Sequence, residues 1–424
     1  MRIIKIGHNK TISTGVLVLM TALLSFFIPT RGTVAGLSSA NLLLLCCIGG
    51  TIIYHKKPKG IPAFYWIYLL IMMVCMLYHF SDRYPIIHLI EITQIIGLVY
   101  LAVTVIRNEK DFDSILDYII VLFGIYAAFG ILESLLQFNI FDTISGTQVV
   151  YEYANGLRFG LARSRGACGT SINNGMMLVM ALCLTAYKII NAKKKTKKYS
   201  FIYILILINC FCTLSRAIWL EVCISQFLIL MILRPAKQFK IIIKILGVAL
   251  CVIVLCLIIQ PQILLNISNI IGSMFDSIIG TITGDHSSEV GDEGDRLLLW
   301  GWVWNSVQPS VTWGMGYVNN FAYLTPDGYI KKSIEVMWLY RLYQTGFVGL
   351  IGYIFLQISC LVYFGIKWIA NKRQNAFDFN CMMFILCVAY FITQFSCAGS
   401  EDLRFFYFLL GLAFSYNKIK HVEA

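Results

Sequence analysis

Apolar residues run in long unbroken stretches along the whole chain, and short polar segments separate them. Twelve runs can be drawn, at 11–29, 36–54, 62–80, 85–106, 114–136, 169–190, 199–214, 217–233, 241–260, 335–365, 379–397 and 402–417. Most are about 17–25 residues long, the length a helix needs to cross ~30 Å of hydrocarbon. They are apolar throughout, with no alternation over ~10 residues, so the pattern favours helices over barrel strands. The tenth run is too long for one straight crossing, so it is expected either to extend beyond the bilayer or to break near Gly346 or Gly349. The expected fold class is therefore all-α: a polytopic membrane protein of about 12 transmembrane helices, with residues 1–424 as a single integral membrane domain. The first run follows Arg2, Lys5 and Lys10 and leads into further runs without a small-residue cleavage site, so it is expected to be retained.

Composition agrees. The chain is 58% apolar and only 13% charged, whereas soluble domains carry about 25% charged residues. The 14 cysteines fall almost entirely inside apolar runs, as Cys46, Cys47, Cys210, Cys212, Cys251 and Cys256 illustrate, with no CxxC and no histidine at metal spacing. They read as small apolar fillers, and no disulfide framework, metal or other cofactor is expected.

Charge gives the map a direction. Lys56, Lys57 and Lys59, Arg107 and Lys110, Lys193 to Lys198, Arg234, Lys237 and Lys240, and Lys367, Lys372 and Arg373 all fall on alternate connections of the same topology. That side is expected to be cytoplasmic, and both termini share it. The KKKTKK segment at 193–198 is then a topogenic loop, and no nucleic acid partner is expected. Of 21 lysines, only Lys331 and Lys332 map outside. Of 13 arginines, nine lie outside or near that face: Arg31, Arg83, Arg158, Arg163, Arg165, Arg216, Arg296, Arg341 and Arg404. Arginine outside runs against topology. A chemical reason is that a planar guanidinium binds phosphate bidentately and stays charged when partly desolvated; pairing with Asp82, Glu152 or Asp402 accounts for some of them.

Two external loops exceed ordinary connector length, 137–168 and 261–334, and long loops in compact folds tend to carry function. The larger holds an amphipathic stretch, Asn266 to Ile282, a polar acidic segment around His286 that reads as disordered, and the run WGWVWNSV, whose tryptophans suit a membrane interface. Within it Arg296 and Trp300 are one helical turn apart, followed by Pro309, Gly314-x-Gly316 and Asn320, then Glu335, Leu339 and Gly346-Phe-Val-Gly349. By physics alone this is an outward cation, a stacking platform and a tight turn, or an interfacial anchor with an ordinary turn. Glu91, Gln94 and Glu133 lie inside apolar runs, where ionisable or polar groups are either functional or packed in pairs. Glu401, Asp402 and Arg404 stand between the last two runs, as sugar contacts or as a turn with a local ion pair.

The ordering Arg-x-x-x-Trp, Pro, Gly-x-Gly and a late span carrying Gly-x-x-Gly resembles the O-antigen ligase and Wzy-type O-antigen polymerase superfamily. Thr213-Leu-Ser-Arg216-Ala, Arg165-Gly166 and Asn173-Asn174 extend the resemblance over roughly residues 160–415. It implies a metal-independent glycosyl transfer on the periplasmic face of the bacterial inner membrane, with an undecaprenyl-pyrophosphate-linked oligosaccharide as donor. It also implies membrane lipid around the chain and a chain-length regulator as a candidate partner. Arg216 and Arg296 match the family's basic positions for pyrophosphate, with Arg165 beside them, although a salt bridge is the other reading of each. Trp300, Gly314, Gly316, Asn320 and Arg404 are the accompanying substrate-binding candidates. The ligase pattern has a histidine at the entrance to the late span. Here Ser333-Ile-Glu335 stands instead, which disfavours a lipid A ligase and leaves Glu335 as candidate base or as an interfacial partner of Lys331 or Arg341. The function expected is an O-antigen polymerase. Alternatives are a ligase, and a lipid-linked oligosaccharide flippase, against which the lack of an internal repeat argues.

Overall fold

The structure, a computed structural model, describes residues 3–5, 11–27, 33–34, 37–54, 60–79, 85–144, 161–192, 196–233, 294–316, 321–324, 330–331, 334, 336–372, 376–395 and 401–423. Its helices are α1 Thr14–Leu24, α2 Ser39–Tyr54, α3 Ala63–Tyr78, α4 Pro85–Val105, α5 Glu109–Leu136, the short α6 Ile140–Ile144, α7 Ser171–Asn191, α8 Thr196–Cys212, α9 Arg216–Ile232, α10 Gly294–Val307, α11 Met337–Asn371, α12 Phe379–Thr393 and α13 Glu401–Glu423. The fold is all-helical, as expected, and three antiparallel pairs of two or three residues accompany the helices: Ile3–Lys5 with Thr11–Ser13, Thr33–Val34 with Leu37–Ser38, and Tyr323–Leu324 with Ile330–Lys331.

The apolar runs that fall within the described residues each coincide with a helix, whereas the run 241–260 and the stretch Asn266 to Ile282 lie outside them. Helix α5 starts five residues earlier than its apolar run because Asn108 caps it. The Asn108 side chain accepts from the Asp111 N–H at 2.8 Å, and Glu109 and Asp111 place acidic groups in the first turn, which the helix dipole favours. Among the described residues, α5, α7 and α11 are long and apolar enough to cross a membrane.

Helix α7 is the central element, touching α5, α8, α9, α12 and α13. Its residues 173–186 are all buried. Helices α3 and α11 are peripheral and show outward stripes at helical spacing: Trp66, Leu70, Met73 and Leu77 on one, Ile351, Ile358, Val362 and Ile366 on the other. Such continuous apolar faces suit a lipid solvent.

Between α4 and α13 the packing is close because Gly411 carries no side chain. A Cβ there would lie 2.8 Å from Ala102 Cβ and 2.9 Å from Val99 Cα. Buried hydroxyls in the same region find partners: Tyr65 donates to Ile95 O at 2.6 Å, and the Tyr68 and Tyr407 hydroxyls share a 2.6 Å bond.

The two ends of the helix bundle differ in chemistry. At one, Lys188 Nζ lies 2.8 Å from Asp113 and 3.0 Å from Asp117, and Lys418 Nζ donates to Val103 O. Here Asp378 caps α12 by accepting from Cys381 N–H, while burial pushes its carboxyl up from the ordinary value. At the other end stand Arg163, Arg165, Arg216, Arg341 and Arg404. We call them the lysine end and the arginine end.

Replacing Gly411 by valine sets a helix-propensity gain of up to about 1 kcal/mol against an overpacking cost of about 1–3 kcal/mol. Because backbone atoms of Val99 are among the neighbours, the cost wins. Gly411→Val is expected to lower the unfolding temperature of the detergent-solubilised protein, and an unchanged value would contradict the α4–α13 packing.

Candidate active site at the arginine end

Residues 161–168 form an irregular segment fixed from three helices. Ala162 N donates to Ser134 O and the Ser134 hydroxyl to Ala162 O, from α5. Ser164 N donates to Cys212 O at the end of α8, and Asn174 of α7 donates from Nδ2 to both Ser164 O and Oγ. A Cβ on Gly130 of α5 would meet Ser164 Oγ at 2.6 Å, so only glycine lets the segment lie this close.

Glu133, inside the apolar run of α5, organises the next residues. Its Oε2 accepts from Arg165 N at 3.1 Å and Gly166 N at 2.8 Å, and its Oε1 from Asn139 Nδ2 at 2.7 Å. A carboxylate receiving several N–H groups offsets much of its own desolvation. Gly166 has φ 55, and a side chain there would run into the Tyr126 hydroxyl, which accepts from Ala167 N. Asn139 links two features: Nδ2 also donates to Gly166 O, while Oδ1 accepts from Phe141 N and caps α6. Helix α6 then presents Asp142 to Arg165, whose Nη2 lies 2.5 Å from Asp142 Oδ2; Arg165 is 2% exposed. Breaking a buried pair of this kind by removing one partner costs about 3–5 kcal/mol.

The neighbouring corner joins α8 to α9. Leu214 has φ 49, an unusual conformation for leucine that lets the chain reverse within Thr213 to Ser215. Arg216 opens α9, and Arg163 Nε donates to Thr213 O at 3.2 Å. The Arg163, Arg165-Gly166 and Asn174 segment and the Thr213 to Arg216 element, separate in sequence, are thus neighbours.

The third part is a break in α11. Gly346 has φ 61 and ψ −162, a region open in practice only to glycine. At a break the carbonyls before it and the N–H groups after it lose their helical partners. The turn Val311 to Gly316 supplies them: Met315 N and Gly316 N donate to Tyr343 O and Gln344 O, while Phe347 N and Val348 N donate to Val311 O and Thr312 O. Gly314, φ 79, sits so close that a Cβ would lie 2.5 Å from Gly346 N. Helix α3 seals the joint, with His79 Nε2 2.7 Å from Trp313 O and Tyr78 stacked on Trp313 at 4.8 Å between centroids.

Helix α10 leads into this turn. Leu299, Val303 and Val307 are buried against Phe321, Ile334, Val336, Leu339 and Tyr343, which leaves Trp300, Trp302 and Trp304 exposed. Arg296 lies on α10 one turn before Trp300. Its side chain, Asn320 and Glu335 lie outside the described residues, as does His286. Arg404 is buried on the first turn of α13.

Thus the sequence order Arg-x-x-x-Trp, Gly-x-Gly, broken late helix is also one contiguous spatial unit. Residues 201–354 match the O-antigen ligase family. The O-antigen ligase match begins in α8 and ends in α11, about a third of the chain, so it covers the Thr213 to Arg216 corner, α10, the Gly-x-Gly turn and the break. It bears out the resemblance to the O-antigen ligase and polymerase superfamily, whose members are membrane enzymes of a glycosyl-transfer type acting on lipid-linked polysaccharide. No curated protein matches the chain.

Sequence reasoning did not assign Glu133 its role, nor single out Asn139, Asp142 or His79. Asn139 meets Glu133 six residues away, but the bonds that join them to the site are distant: 23 residues for Asp142 and Arg165, 27 for Asn139 and Gly166, and 234 for His79 and Trp313. The one available signal was Glu133 itself, an acid in an apolar run.

Gly346→Ala is expected to cost about 1–3 kcal/mol in backbone strain, and the added methyl would press on the Thr312 backbone. The protein should unfold at a lower temperature and lose activity. Gly365→Ala, inside the regular part of α11, lacks the backbone strain and meets only the Phe384 ring at 3.5 Å; equal losses at both positions would contradict the docking.

Proposed function

We propose that this protein is an O-antigen polymerase of the bacterial inner membrane. It takes the growing glycan from its undecaprenyl-pyrophosphate carrier and joins it to a new lipid-linked repeat unit at the periplasmic face. About twelve helices cross the bilayer, with the arginine end and the 261–334 loop periplasmic and both termini cytoplasmic. The lysines at the opposite end support this orientation through the positive-inside tendency.

The observation that carries the reading is the joint at Gly314 and Gly346 beside α10, within the matched residues. It gives irregular backbone and exposed tryptophans at the same end of a lipid-facing bundle as Arg163 and Arg216. In the proposed reaction a hydroxyl of the incoming repeat unit attacks the anomeric carbon of the growing chain. The bond between that carbon and the pyrophosphate oxygen breaks, and its electron pair leaves with the pyrophosphate. Arg216 and Arg296 stabilise the departing charge, Glu335 accepts the hydroxyl proton, and no metal takes part. Trp300, Asn320 and Arg404 line the glycan path, and Gly314 and Gly316 let the backbone approach it. Glu335, standing where ligases have histidine, favours polymerase over ligase.

Lysine cannot reproduce the bidentate fork of arginine. Arg216→Lys and Arg296→Lys are each expected to reduce polymerisation by about 100-fold or more at unchanged protein level, and normal chain lengths would overturn the assignment. Glu335→Gln should abolish transfer while the lipid-linked repeat unit still binds; continued transfer would exclude it as the base.

A further inference from the structure

A residue at the end of α12 holds both halves of the broken helix α11. The main-chain oxygen of Gln394 accepts from the N–H of Met337, the first residue of α11, at 3.2 Å. Its side-chain Oε1 accepts from the Tyr353 hydroxyl at 2.8 Å and from Gln357 Nε2 at 2.5 Å, both beyond the break at Gly346. Gln394, Tyr353 and Gln357 are all buried. Polar groups buried in an apolar bundle are costly unless bonded, so each is committed to this one arrangement.

The break folds the chain sharply. Trp338 and Tyr353 would lie about 22 Å apart along an unbroken helix, yet their ring centroids are 6.2 Å apart, and Arg341 Cζ lies 5.5 Å from the same Tyr353 ring. Trp338 also stacks on Phe395, next to Gln394, at 4.9 Å. Apolar packing of this kind is non-directional and tolerates sliding. Hydrogen bonds in a low dielectric are directional, and a satisfied buried network rigidifies its surroundings. The Val311 to Gly316 turn grips α11 at the break itself, whereas Gln394 grips it at its start and again beyond the break. That distance matters. Met337 lies about 14 Å from Gly346 along the helix, so a swing of about 5° at the break moves it by about 1 Å. A misplacement of about 1 Å can cost about 100-fold in rate.

We propose that Gln394 is a positioning residue for the glycosyl transfer. By tying the two halves of α11 together it sets the angle at the break, and through Met337 it sets the approach of Glu335, two residues earlier in the chain. This rests on the role of base given to Glu335 above. Gln394 itself stands outside the residues that match the O-antigen ligase family and acts on the reaction only through α11.

The test uses the full-length protein in detergent, with lipid-linked repeat unit extracted from a strain that lacks it, and reads kcat and KM separately. Gln394→Leu and the pair Tyr353→Phe with Gln357→Leu remove the same side-chain bonds from opposite sides. Each is expected to lower kcat about tenfold or more with KM within about threefold. Combining all three changes should lower kcat little further, because the bonds are already gone. Asn380→Leu is the control for lost stability: it removes the reciprocal amide pair with Asn417 near the start of α12 and should keep kcat within about threefold. Unchanged kcat in Gln394→Leu, with Glu335→Gln inactive, overturns the proposal and leaves the reading of Glu335 standing. Full transfer by Glu335→Gln overturns both. A loss of kcat in Asn380→Leu as large as that in Gln394→Leu, or effects that multiply in the triple variant, also overturns the proposal. Should Gln394→Leu fail to fold, Tyr353→Phe alone, which loses one hydroxyl, takes its place. A fall in kcat beyond that of the control is then expected, and a kcat equal to the control's overturns the proposal.

Discussion

Backbone N–H and C=O groups inside a lipid-facing bundle have no water to turn to, so every departure from a regular helix must be satisfied by protein. That constraint shapes the arginine end. At the Gly346 break the Val311 to Gly316 turn bonds the Tyr343 and Gln344 carbonyls and the Phe347 and Val348 N–H groups, and Cys75 Sγ reaches Thr345 O. The irregular segment 161–168 opens another set, and Glu133, Ser134, Asn139, Asn174 and Cys212 close it. In both places glycine admits the partner: Gly314 and Gly346 at the break, Gly130 and Gly166 at the segment. The bonds are what allow non-helical backbone, and with it polar side chains, to persist at the end of an apolar bundle.

These two repairs also set the chemistry. The segment 161–168 fixes Arg163 and Arg165 relative to the corner that starts α9, and the turn in the α11 break fixes the end of α10. The lysine end shows the contrast: Lys188 and Lys420 pair with Asp113, Asp117 and Glu109 of α5, and α5 and α12 start there with ordinary side-chain caps from Asn108 and Asp378. The proposed reaction calls for guanidinium groups held rigidly at one membrane face. Irregular backbone and Arg163, Arg165, Arg216, Arg341 and Arg404 stand together at one end of the bundle.

Much of the fold was legible in the sequence because lipid imposes length and continuity on helices. The apolar runs mark the helices, and a 31-residue run too long to cross straight pointed to an extension beyond the bilayer or a break near Gly346 or Gly349, of which the structure has the break at Gly346. The start of α5 was hidden, since its first turn is polar and held by the Asn108 cap. The Arg165-Gly166 and Thr213 to Arg216 elements were legible as pieces, but not the burial that separates Arg163 from Arg165. That difference depends on Asp142 and Glu133, whose contacts with the segment span more than 20 residues and leave no local pattern.

The central claim is that the chain polymerises repeat units at the periplasmic face. The lipopolysaccharide ladder of a strain lacking the protein tests it most directly. A ladder collapsed to a single repeat unit per core is the result the account requires. Loss of every repeat unit from the core, the pattern of a missing ligase or flippase, would contradict it.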